Sequence, residues 1–159
     1  MLTRFAMARR LAGLLLAGLA LVTPAGAEGD LLISASVADA SRVHATFLTM
    51  DVLMERCGTA TGTPELYAAG LADWVARNQD RRDLADVVLD YLHVELDPES
   101  LMPRAEADAT ALLNALVTPG ELCARFLAQI AAGDLDLSTL VPDLDYRLIE
   151  SAAMIAGAN

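Results

Sequence analysis

The residues of this chain best able to do chemistry are its carboxylates and its two histidines. Asp83, Asp86, Asp90, His93 and Asp97 recur at intervals of three or four, a spacing that puts them on one face of a helix. Asp86, Asp90 and His93 are candidate ligands for a divalent ion such as calcium or zinc, through one imidazole and one or two carboxylates. The same stripe serves as the solvent side of an amphipathic helix whose other side carries Val87, Val88 and Leu92. His93 is also a candidate pH-responsive group. His44 shares a face with Asp51 and Glu55, but Leu48 stands where a second close ligand belongs. Met50 and Met54 have the softness to bind copper, yet they continue the apolar stripe of Phe47 and Cys57 and read as core filling.

A second acidic group is Asp134-x-Asp136-x-Ser138, followed by Asp145. These residues take positions 1, 3, 5 and 12 of a calcium-loop count, and Val141 takes the apolar eighth. Over this one 12-residue stretch the chain resembles an EF-hand loop, and the resemblance implies calcium ligation by Asp134, Asp136, Ser138 and Asp145. It departs from that pattern at Thr139, where the loop needs Gly, at Asp145 in place of Glu, and at Pro142. The alternative is a linker whose Asp and Ser cap the last helix while Leu135, Leu137 and Leu140 rest on the core.

Nucleophilic catalysis finds little material. The chain has no Lys, no Gly-x-Ser-x-Gly elbow, no His-Glu-x-x-His helix and no phosphate-cradling Gly loop. A hydrolase using two carboxylates would want a sugar cleft lined by aromatics. After residue 27 there are one Trp, three Tyr and two Phe, most on stripes that look like core.

These side chains must be positioned by helices. Thr63-Pro64-Glu65, Asp97-Pro98-Glu99 and Thr118-Pro119-Gly120-Glu121 are helix starts: a cap, a Pro at the first helical position and an acid in the first turn. Asp39 or Ser41 opens a helix running to about Cys57, ended by Gly58 and Gly62. The helix from Pro64 fades near Asn78, and Asp80 to Asp83 cap the next, with Leu84, Val87, Val88, Tyr91 and Leu92 as its apolar face. Pro103 separates a single turn from a longer helix. Ser138 or Pro142 opens the last, with Leu144, Leu148 and Ile149. No stretch alternates with period two in β-branched residues; Leu31 to Val37 alone fits either a short helix or an extended arm. The starts are 34 and 21 residues apart, so no repeat exists. The expected fold is all-α: an irregular bundle of five to six short helices. Cys57 and Cys123 each sit on an apolar stripe, which predicts one structural disulfide closing a long loop.

The N-terminus reads as an export signal. Arg4, Arg9 and Arg10 precede the apolar run Leu11 to Val22, and Ala25-Gly26-Ala27 fits a signal-peptidase site. The run is too short to span a bilayer. Residues 1–27 are thus a cleavable leader, 28–38 a short N-terminal arm and 39–156 a single helical domain. Past the leader, eight Arg face 22 Asp and Glu, a net charge of −14. Such a surface offers nothing to displace counterions from nucleic acid. The reading is a periplasmic or secreted soluble protein of the bacterial cell envelope. It acts as a non-catalytic binding module (stress-protective, inhibitor-like or an accessory subunit), its partner another envelope protein. The alternative is a divalent-cation-binding protein using the acidic helix face or the Asp-rich loop. A stress-protective role would bring acid-triggered opening as carboxylates protonate.

Overall fold

The computed structural model describes residues 28–114 and 119–157; residues 1–27, expected to be a leader, and the Thr118 capping position lie outside them. Among the described residues there are six helices and no strand: α1 (Glu28–Thr61), α2 (Pro64–Tyr91), α3 (Pro98–Asn114), α4 (Pro119–Ala132), α5 (Leu137–Leu140) and α6 (Leu144–Gly157). The expected all-α bundle is present, but its first two helices are long. α1 has 34 residues and α2 has 28.

Their length has a local cause. No Gly or Pro interrupts the chain between Asp30 and Cys57, or between Leu71 and Asp97. Two polar residues inside α1 bond to another helix instead of ending this one. Ser36 hydrogen-bonds Ser151 at 2.8 Å. Asp39 accepts from Arg147 Nε at 2.7 Å and from Arg42 at 3.2 Å. Residues 28–38, read as an arm, are therefore the first turns of α1. Asn78 is fully buried inside α2. Its amide donates to the Trp74 carbonyl at 2.8 Å, and its Oδ1 accepts the Leu137 backbone N–H at 2.8 Å.

α1 and α2 pack antiparallel. Gly58 lies against Pro64 at the corner, Phe47 meets Trp74 edge to face with ring centroids 4.8 Å apart, and His44 reaches Asp86. Gly62, at φ +69, ends α1: Thr63 N–H donates to Gly58 O and Gly62 N–H to Thr59 O, the paired bonds of a Schellman motif. The Thr63 hydroxyl bonds Thr61 rather than capping α2. At the next start Asp97 does cap, accepting the Glu99 N–H at 2.9 Å. α3 then runs through Pro103 without a break, losing one N–H donor.

α6 lies antiparallel to α1 through the Arg147–Asp39 and Ser151–Ser36 contacts, and beside α2 through Arg81–Asp145. α4 is joined to α1 by the Cys57–Cys123 disulfide, with Cα atoms 5.4 Å apart. The core runs through Val43, Met50, Met54, Cys57, Trp74, Val88, Phe126, Ile130 and Leu148. Met50 and Met54 are thus core residues, 1% exposed. Val87 and Ile149, placed on apolar faces by the spacing, are more than half exposed instead. Among the described residues no helix is long and apolar enough to cross a membrane.

Candidate functional site

Helical periodicity on two facing helices builds a cleft of about 760 Å³. α1 contributes His44, Phe47, Leu48 and Asp51, spaced three, four and seven apart on one face. From α2, the same spacing brings Leu71, Val75, Arg82, Asp86, Leu89 and Asp90. α2 then stops at a second Schellman motif, with Val94 N–H bonded to Leu89 O and His93 N–H to Asp90 O. The chain turns across the cleft, and Val94, Glu95, Leu96 and Leu101 form its end wall. Phe47 and Leu89 are buried in the floor, while Leu48, Leu71, Val75, Val94, Leu96 and Leu101 stay only partly covered.

The polar groups gather at the rim. His44 Nε2 lies 3.0 Å from Asp86 Oδ1, at ion-pair distance but without the alignment of a hydrogen bond. Burial holds the His44 pKa below its ordinary value of 6.5; the Asp86 charge opposes this and Arg82 reinforces it. The imidazole is therefore neutral at pH 7. Arg82 stacks its guanidinium over the Phe47 ring at 5.1 Å, a cation–π contact. Asp51, Asp90 and Glu95 are exposed and take part in no ion pair among the described residues. Four carboxylates thus surround the cleft against one guanidinium. His44 and Asp86 could exchange a proton, but no hydroxyl or thiol lines the cleft. The arrangement suits recognition: an apolar floor for nonpolar groups and a rim for positive charge.

The cleft takes Asp86 and Asp90 from the acidic stripe but leaves His93 out. His93 follows the end of α2 with φ 52, so the three-residue helical spacing from Asp90 no longer applies to it. The Asp-rich stretch is held by arginines. Asp136 accepts two bonds from Arg77 Nε and a third from its Nη2, at 3.0 to 3.2 Å. Those bonds push this already strongly basic guanidinium further up. Asp145 accepts a bidentate pair from Arg81, both bonds at 2.7 Å. Asp134 and Ser138 are exposed, and Leu135 and Leu137 are buried. Leu135 and Leu137 rest on the core as in the linker alternative, but Asp136 stands before α5 without a side-chain cap bond. The anchor is α2, where Arg77, Asn78, Arg81 and the Trp74 indole, which donates to Leu135 O at 2.9 Å, together clamp residues 135–145. Among the described residues no group of three or more His, Cys, Asp or Glu is placed to hold a metal ion.

The spacing had joined His44 to Asp51 and Glu55, whereas its nearest charged neighbour is Asp86 on the other helix. Arg82 carried no signal in the sequence, because its role depends on which α1 residue it faces. Comparison with known proteins gave no match: no family model fits the chain, and no curated protein or solved structure is similar to it.

Proposed function

We propose that this is an exported, non-catalytic binding module of the cell envelope, and that the α1–α2 cleft is where it takes hold of another envelope protein. The carrying observation is the cleft itself: six partly covered apolar side chains inside a ring of carboxylates. Apolar area left open in a concave site gains free energy when a partner covers it. Export draws support from the composition of residues 1–27, and from the pairing of the chain's only two cysteines, a habit of oxidising compartments.

A photo-crosslinking residue at Leu48, inside the cleft, tests this in the native host. Glu121, on α4, serves as the control position. Irradiation should give a discrete adduct of one mass from the Leu48 position and none from Glu121. Absence of any adduct at Leu48, or the same adducts from both positions, would remove the cleft as the binding site.

A further inference from the structure

Resting on that reading, we infer that the cleft binds a basic amphipathic segment of its partner, whose apolar side chains cover the floor around Phe47, Val75 and Leu89 while Lys or Arg groups meet Asp51, Asp86, Asp90 and Glu95. Charge complementarity selects this occupant. Elsewhere Asp39, Asp108, Asp136 and Asp145 each hold a guanidinium, and acids there that take part in no ion pair among the described residues, such as Glu65, Glu121 and Glu150, stand on exposed surface and do not line this apolar cleft. At the cleft the one arginine lies over an aromatic ring, and Asp51, Asp90 and Glu95 have no cationic partner among the described residues. A basic ligand supplies the missing charge. Asp86 and Asp90 lie one helical turn apart, about 6 Å between Cβ atoms. Basic residues one turn apart on a ligand helix have the same spacing, which suits a helix laid in the groove. A second copy of the chain is disfavoured, because it brings the same acidic excess to the contact.

The test uses the full-length, disulfide-bonded protein and a labelled amphipathic helical peptide of Leu and Lys, read by fluorescence anisotropy. Two companion peptides separate the contributions: one with Ser for Leu, one with Glu for Lys. The Leu/Lys peptide should bind, and both companions should bind at least about tenfold more weakly. Asp90→Lys with Glu95→Lys should weaken the Leu/Lys peptide by about tenfold, since rim charges act mainly through steering and complementarity. The distant pair Glu65→Lys with Glu121→Lys, equal in net charge, should change it far less. Both double variants alter exposed side chains. Glu65 and Glu121 stand in helix first turns, where Lys opposes the helix dipole and costs some stability, so circular dichroism of every variant accompanies the affinities and only folded protein is compared.

Equal weakening by both pairs would mean general attraction to an acidic surface and would overturn the inference. So would equal binding of the Ser/Lys or Glu/Leu peptide. Dodecylammonium that fills the cleft and resists displacement by the peptide would make the occupant a small amphiphile. A dimer that Leu48→Arg dissociates would make it a second copy; either result refutes a peptide ligand. A Leu48 crosslink with no peptide affinity leaves the cleft as a binding site and removes only its basic ligand.

Discussion

His93 shows how one backbone angle decides a residue's role. It occupies the position after a helix end that Gly62 and Gly133 occupy at two other helix ends of this chain, all three with positive φ. The left-handed conformation costs a residue with a Cβ about 1–2 kcal/mol, and glycine largely escapes this. His93→Gly is therefore expected to raise stability by about 0.5–1 kcal/mol after the extra entropy of unfolded glycine is counted. Urea denaturation measures this, and a loss of stability would show that the imidazole makes a contact the backbone argument ignores. His44 behaves differently. It shares the cleft with Asp51 on its own helix and with Arg82, Asp86, Asp90 and Glu95 from the other side, and burial lowers its pKa from 6.5. The unfolded chain then binds this proton more readily than the folded one. Stability from this group is complete above the ordinary value, falls as pH drops through it, and levels off below the folded value. The His44→Gln variant should show a shallower loss of unfolding free energy between pH 7 and pH 5 than the parent. Parallel curves would mean that other groups carry the acid sensitivity.

At the scale of elements, the α1–α2 corner sets the register that brings His44 to Asp86 and Arg82 to Phe47. A Cβ at Gly58 would sit 2.9 Å from the Cα of Pro64. Gly→Ala inside a helix ordinarily gains about 0.5–1 kcal/mol. Here the added methyl meets backbone, which cannot turn aside, so Gly58→Ala should cost about 1–3 kcal/mol through overpacking and blunt the cleft. Gly70→Ala is the comparison. Its Cβ would meet only the Leu127 and Met54 methyl ends, which can turn aside, so its loss should be smaller. Thermal denaturation of both variants checks the order; equal losses would mean that the corner is soft. This register explains what the sequence hid. The starts at Pro64 and Pro98 were legible because a Pro at the first helical position acts locally. Asp39, Ser41 and Asn78 looked like boundaries because capping residues and buried polar residues are the same types, whereas Asp80 is an exposed mid-helix acid. Only tertiary partners, such as Arg147 for Asp39 and Leu137 N–H for Asn78, tell the two apart. The apolar stripe from Val43 to Cys57 was readable from period alone. The cleft was not, since it belongs to two helices whose alignment is fixed at Gly58 and Pro64.

In the molecule as a whole, α6 is fastened largely by polar contacts, Arg147–Asp39, Arg81–Asp145 and Ser151–Ser36, around the buried Leu144 and Leu148. α4 is fastened covalently. The Cys57–Cys123 bridge spans a sequence separation of 66, and closing a loop of that size in the unfolded chain is worth about 4 kcal/mol in the chain-entropy account. That is a large share of the roughly 5–15 kcal/mol that holds a domain folded. Both cysteines are fully buried, so a reductant reaches the bridge only when the chain opens. Incubation with dithiothreitol in native buffer should leave the bridge intact for long periods, and adding sub-denaturing urea should speed its reduction steeply. The Cys57→Ala/Cys123→Ala double variant should unfold at a urea midpoint lower by the equivalent of about 2–4 kcal/mol. Free thiols that alkylate before any reductant is added would show that the bridge does not form in the purified protein. A midpoint unmoved by its removal would show that Phe126, Ile130 and their neighbours hold α4 without it.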